Sequence, residues 1–252
     1  MIDTHAHLTD EVFDTDRDEV IVRANNVGIH AIVAVSETLT EAQRCLKIAE
    51  THPAIFPAAG LYPAHLDLEQ AEATITFIRE NRDRLVAIGE VGLDYWVVKE
   101  ENEKAIQRQI FCQFIELSKE LSLPLNIHSR SAGRHTIALL LEKEAQKVHL
   151  HAYDGKASSA LPGVEAGYYF SIPPSIVRSK QKQKLVKRLP IASLLVESDS
   201  PVLGPDRETR NEPANIALVI DAISELKGID REEVVENIDH NTKKLYGEKL
   251  FQ

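Results

Sequence analysis

Cysteine is scarce: Cys45 and Cys112 are the only two in 252 residues. Both fall in segments with helical spacing, so they read as buried reduced thiols, not as a disulfide framework. That suits a reducing compartment. Long hydrophobic runs are missing, and so is a basic leader followed by an apolar stretch, which argues against a membrane-spanning or exported chain. Pro/Gly/Ser linkers, low-complexity tracts and internal repeats are absent too, so a single domain over residues 1–252 is expected. Positive charge is in deficit, with 29 Lys and Arg against 39 Asp and Glu and a net charge of −10. This argues against a protein that coats long duplex DNA by bulk electrostatics, but not against a nucleic acid gripped locally. There is one tryptophan, Trp96.

What is present is an ordinary globular balance, 43% hydrophobic and 27% charged, and a length that fits one (β/α)₈ barrel or two small domains. His5-Ala6-His7 follows the first apolar run. Two imidazoles at i and i+2 on a strand point to one side, where a single metal can take both. Further apolar runs at His30–Val35, Ile55–Gly60, Leu85–Gly89, Leu123–Ile127, Lys147–Leu150, Tyr168–Ile172 and Leu194–Val196 join Met1–Thr4 to make eight strand candidates. They read as buried parallel strands. Helical spacing occupies Thr40–Glu50 (with Thr40 as its cap), Ile106–Leu121, Ala132–Glu144, Ile176–Arg188 and Ala214–Lys227. The alternation predicts an α/β fold, a TIM (β/α)₈ barrel with a helical tail from about Asp230.

In such a barrel, functional groups belong at the C-terminal ends of strands. His5 and His7 follow the first strand candidate, Glu90 the fourth, His128 the fifth, His151 the sixth and Asp199 the eighth. Any one of these alone is more often a structural histidine or a salt-bridged carboxylate. Six together predict a pocket for two divalent cations and hydrolytic chemistry. His30, His52, His135 and His240 have no such company and read as surface or cap residues. His149 shares strand parity with His151 and should pack beneath the metals. Because His5 and His7 lie so near the start, little could be removed from the front. A soluble intracellular protein, cytoplasmic or nuclear, is expected, with a monomer as the default.

Taken together, Ile2-Asp3-Thr4-His5-Ala6-His7-Leu8, Gly89-Glu90-Val91-Gly92-Leu93-Asp94, Ile127-His128, His151-Ala152-Tyr153-Asp154-Gly155 and Glu197-Ser198-Asp199-Ser200-Pro201 resemble the TatD family of metal-dependent deoxyribonucleases. The resemblance runs from residue 1 to about 247, through Arg210-Asn211-Glu212-Pro213. His128-Ser129-Arg130-Ser131-Ala132-Gly133-Arg134 and Ser171-Ile172-Pro173-Pro174-Ser175-Ile176 look like its eukaryotic-type branch. The resemblance implies a TIM barrel of the amidohydrolase superfamily, two divalent ions (Zn, Mg or Mn) and phosphodiester hydrolysis. One departure is visible. Where the family usually has His-Pro after a Gly, this chain has Gly60-Leu61-Tyr62-Pro63-Ala64-His65. Tyr62 replaces that histidine, and His65 is placed to compensate.

By this reading His5 and His7 hold the first metal, Glu90 bridges to the second, and His128 and His151 complete the second. Asp199 binds the first metal and serves with Glu90 in catalysis, as general base toward water and then as acid toward the leaving oxygen. No lysine stands at the end of the fourth strand candidate, which tilts the reading away from amidohydrolases that bridge their metals with a modified lysine. Arg130, Arg134, Arg178, Lys180, Arg207 and Arg210 follow strand ends and predict a positive rim, with Arg130 and Arg210 as phosphate contacts. Lys184, Lys187 and Arg188 read better as a solvated helix face. Tyr62 and Trp96 are the remaining substrate-binding candidates. Trp96 either packs a loop, the commoner case, or stacks a terminal base.

The expected function is a two-metal deoxyribonuclease acting on single-stranded DNA or frayed ends as an exonuclease. A different class is a metal-dependent ester hydrolase, such as an aminoacyl-tRNA deacylase, on the same site. A third is a barrel retained only as a scaffold, against which six converging ligands argue.

Overall fold

A computed structural model describes residues 1–251. Eight parallel strands alternate with helices in the order β1 (Ile2–Ala6), α1 (Arg17–Asn26), β2 (Ala31–Ala34), α2 (Leu39–Thr51), β3 (Ile55–Ala59), α3 (Leu68–Asn81), β4 (Ala87–Gly92) and α4 (Glu101–Leu121). The order continues β5 (Leu125–His128), α5 (Gly133–Glu142), β6 (Val148–Leu150), α6 (Ala157–Glu165), β7 (Tyr169–Ile172), α7 (Lys180–Arg188), β8 (Leu194–Val196), α8 (Ile216–Lys227) and α9 (Arg231–Tyr246). Each strand pairs with the next in sequence order. The β8–β1 seam is closed by Thr4 Oγ1–H donating to Val196 O at 2.8 Å, Ser198 N–H to Asp3 Oδ1 at 2.9 Å and Asp199 N–H to His5 O at 2.9 Å. The result is a TIM barrel.

The pleat divides each strand between two cores. On β2, Ile32 and Ala34 face the helices and belong to the outer core, which also contains Phe111, Phe114 and Val219. Ala31 and Val33 face inward with Ile2, Ala58, Ala87, Tyr169 and Leu195. Leu245 and Tyr246 of α9, with Leu250 just beyond, join this inner core. The helical tail thus closes the barrel at the end away from the strands' C-termini.

All eight strand candidates are strands, and the tail is a helix that begins just after Asp230. Differences lie at the edges. The cap of α2 is Thr38, whose side chain accepts from Glu41 N–H at 3.2 Å, not Thr40. Ile176 belongs to a short 3-10 turn, Pro174–Val177, and α7 starts only at Lys180. β1, β4 and β5 run further at their C-terminal ends than their apolar letters suggest, so His5 lies in β1, Glu90 in β4, and His128 is the last residue of β5. The pairing register slips between Asp3 and Ala6 on β1 and between Ile88 and Val91 on β4. Such irregularities re-aim side chains, and these two bracket His5 and Glu90.

Candidate metal centre

The strand ends bring His5, His7, Glu90, His128, His151 and Asp199 to one place. Three overlapping groups could hold a metal ion: His5 with His7 and Glu90, His5 with His151 and Asp199, and Glu90 with His128 and His151. Nε2 of His5 and Nε2 of His7 are 3.1 Å apart. Glu90 Oε2 lies 3.6 and 3.3 Å from them, and Asp199 Oδ1 lies 3.5 Å from each. The other oxygen of Glu90, Oε1, faces His128 Nδ1 at 2.5 Å and His151 Nε2 at 3.0 Å. Donor atoms bound about 2.1 Å from one cation lie about 3.0–3.4 Å apart at right or tetrahedral angles. The donor set therefore fits a metal, with Glu90 offering one oxygen to each pair of imidazoles.

The outward nitrogens explain why the inward lone pairs converge. Nδ1–H of His5 donates to Asn126 Oδ1 at 2.8 Å, and Nε2–H of His128 donates to Asp94 Oδ2 at 3.0 Å. His151 Nδ1 is buried without a hydrogen-bond partner, 3.8 Å from Glu197 Oε2. His7 Nδ1 is 3.9 Å from Glu37 Oε1. Metal-binding imidazoles commonly hand their second N–H to such acceptors, which fixes tautomer and ring direction. Asn126, Asp94, Glu197 and Glu37 were not among the residues singled out from the sequence. A polar residue inside the apolar run Leu125-Asn126-Ile127 was the available signal for the first, and the quoted motifs contain the next two.

Charge in the site is concentrated on Glu90. Burial alone would raise its carboxyl, but the facing His151 and His128 outweigh that and hold it well below the usual carboxylate range. Burial likewise opposes protonation of His128 and His7, yet Glu90 with Asp94 raises the first to about 10, and Asp199 with Glu90 raises the second to about 9. His5 goes the other way, because burial and the neighbouring His151 push it well below its ordinary value. Loading a cation onto these imidazoles must therefore expel protons.

All of these candidate ligands except His5 line a cavity of about 670 Å³, with Tyr62, Arg130, Asp154, Arg178, Ser179 and Lys182 also in its wall. Tyr62 OH donates to Asp94 Oδ2 at 2.8 Å and meets the His128 ring edge-on, so it braces a candidate ligand. Arg130 and Arg178 reach the cavity as expected of a positive rim. Arg210 does not. Its guanidinium pairs with Asp16 at 2.8 and 2.5 Å, donates to Val12 O and lies over Phe13, because the segment after β8 folds back on α1. Trp96 sits outside the lining, 58% exposed, with Lys99 and Arg130 over its ring. His65 lines a separate small pocket with Leu61 and Gln107 and does not stand in for the replaced histidine. Lys182 was not among the chosen cations, yet it is buried and donates to Ala152 O and Tyr153 O at the cavity wall.

The profile described as TatD related DNase matches residues 2–247. The chain belongs to the TatD family. Deoxyribonuclease TATDN3 of Homo sapiens is 44% identical over 98% of this chain and 94% of its own length. The 3′-5′ ssDNA/RNA exonuclease TatD of Citrobacter koseri is 30% identical over 98% and 99%. Among solved structures, the TatD homologue YjjV of Escherichia coli K12 superposes with a TM-score of 0.90 at 25% identity, covering 98% of this chain and 97% of its own. The chain is thus a TatD hydrolase, of a family named for deoxyribonucleases that cleave phosphodiester bonds. No helix among the described residues is long and apolar enough to cross a membrane.

Proposed function

We propose that the TatD barrel described above is a two-metal nuclease that shortens single-stranded DNA or frayed ends. The observation that carries this is the division of Glu90: one carboxylate oxygen for His5 and His7, the other for His128 and His151. His5, His7 and Asp199 with Glu90 Oε2 would hold one cation, and His128 and His151 with Oε1 the other. Divalent ions bound there, whether Zn, Mn or Mg, supply the Lewis acidity that makes water nucleophilic and offsets charge on the phosphate oxygens. Asp199 would accept the proton of the attacking water and return it to the leaving 3′-oxygen, a role worth about 10²–10⁴ in rate. Arg130, Arg178 and Lys182 bind the phosphodiester as cations, with Arg130 suited to two-point contact. Tyr62 keeps the His128 ring in place through Asp94. A cavity of about 670 Å³ is of the size that encloses small molecules, about 300–1,000 Å³. That favours a strand end over the middle of a duplex, and the exonuclease named in Citrobacter koseri supports the same mode.

The test is hydrolysis of 5′-labelled and 3′-labelled single-stranded oligonucleotides with Mg, Mn or Zn, wild type beside Glu90→Ala. Stepwise shortening from one end, lost in the variant, is expected. Equal cleavage by Glu90→Ala, or intact DNA with every metal, removes the proposal.

A further inference from the structure

Tyr246 is the last residue of α9 and enters the barrel from the end opposite the cavity, beside Val86, Pro124 and Lys147 at the starts of β4, β5 and β6. A plug at this position needs an apolar ring and no hydroxyl. Yet the Tyr246 hydroxyl is buried in a string of polar side chains. It lies 2.8 Å from His149 Nδ1 and 3.3 Å from Asn126 Nδ2. His149 Nε2 lies 2.5 Å from Ser171 Oγ, which donates to Glu197 Oε2 at 2.6 Å. Asn126 Oδ1 accepts from His5 Nδ1 at 2.8 Å.

The protons in this string have one consistent arrangement. Asn126 Nδ2 is 2.9 Å from Thr4 O, a carbonyl that can only accept, and 3.3 Å from the Tyr246 oxygen, so these two acceptors together set which way round the amide lies. Oδ1 therefore faces His5, whose Nδ1 must carry the proton and whose Nε2 is left bare toward the metal centre. The second Nδ2 hydrogen points at Tyr246, so the tyrosine oxygen accepts there and donates to His149 Nδ1. His149 then carries its proton on Nε2 and donates to Ser171, which donates to Glu197. Each group donates one way along the string, from His5 to Glu197. Its two ends meet again, because Glu197 Oε2 is 3.8 Å from Nδ1 of His151, and the His151 ring stacks on His5 at 3.8 Å between centroids and 7° between planes.

We propose that Tyr246 is a positioning residue: its hydroxyl, through Asn126, fixes His5 with a bare Nε2 and, through His149 and Ser171, orients Glu197 toward His151. The helical tail is on this account part of the hydrolytic apparatus and not a cover alone. The inference rests on the two-metal reading above for its purpose, but the proton arrangement can be read without any metal.

The experiment uses the full chain and Tyr246→Phe, which keeps the ring. Nitrogen-15 spectra of the metal-free wild type are expected to show His5 protonated on Nδ1 and His149 on Nε2. In Tyr246→Phe, His5 is expected to exchange between tautomers. Calorimetric titration with Mn²⁺ should show affinity about 10-fold lower for the variant, within the range found when partners of metal-binding histidines are removed. A merely structural tyrosine would lower the melting temperature and leave Mn²⁺ affinity and the His5 spectrum unchanged, which overturns the inference. Should the variant not fold, the wild-type spectrum decides alone, since His5 protonated on Nε2 is incompatible with the string. A wild type with the expected tautomers that takes up no divalent cation would instead count against the metal reading.

Discussion

Asp199 sits in the left-handed region, φ +52°, where a residue other than glycine is strained by about 1–3 kcal/mol. Its carboxylate is also largely removed from water, beside Glu90 and Glu197. Both costs are tolerated because this backbone aims Oδ1 between His5 and His7. Asparagine accepts positive φ readily, but Asp199→Asn removes the charge that faces protonated His7, so the metal-free melting temperature should fall modestly while kcat/KM falls about 10²–10⁴-fold. A variant that still cleaves as the wild type does would contradict the role given to Asp199. Asp94 makes a second case. It accepts from His128, from Tyr62 and from the backbone N–H groups of Trp96 and Val97. Burial would raise its carboxyl, but the His128 contact and the other donors outweigh that and hold it near 2. Asp94→Asn can keep the loop contacts yet loses the charge facing His128, so Mn²⁺ affinity should drop about 10–100-fold with little change in fold. Equal affinities, measured by competition with a chromogenic chelator, would show that Asp94 serves the loop alone.

At the scale of elements, the site depends on close approach between neighbouring strand ends. Gly60 follows β3, and a Cβ there would lie 2.4 Å from Glu90 O and 2.6 Å from Glu90 N. Backbone cannot yield as a side-chain tip does, so Gly60→Ala must push β4 aside and carry Glu90 with it. Overpacking of this kind costs about 1–3 kcal/mol, which for a chain of this size is a drop of several degrees in melting temperature. Activity should fall with it, and unchanged melting and cleavage would refute the contact. The convergence of His5, His7, Glu90, His128, His151 and Asp199 was legible because each stands where an apolar run ends, a rule that barrel topology turns into proximity. What lay outside that rule was harder to read. Lys182 stands among the lysines of a polar helix and so did not stand out, although it precedes Leu185 and Val186 by three and four residues and shares their buried face. Arg210 looked like a rim cation because nothing local announces that its segment turns back to Asp16. The helices α1, α3 and α6 gave weaker patterns, α6 carrying Pro162 in its interior and α1 being mostly polar. Tyr246 had no local signal at all, since its partners Asn126 and His149 are 120 and 97 residues away.

For the whole molecule, the net charge of −10 repels a polyanion at long range, so binding has to come from cations inside the cavity. Arg130, Arg178 and Lys182 line it, while Arg210 is neutralised by Asp16 and Arg23 by Glu212. Each phosphate neutralised on a single strand contributes about 0.7 to the slope of log affinity against log salt. Three cations then give a slope of magnitude about 2, far from the steep dependence of a protein that coats duplex DNA. KM for a single-stranded oligonucleotide should rise with NaCl along that slope while kcat stays nearly level. Arg130→Ala should raise KM and lower the slope by about 0.7, and Arg210→Ala should alter neither, since its charge is already spent on Asp16. If Arg210→Ala shifts KM as much as Arg130→Ala does, the ion pair with Asp16 opens in the substrate complex and the positive rim is wider than the free protein presents.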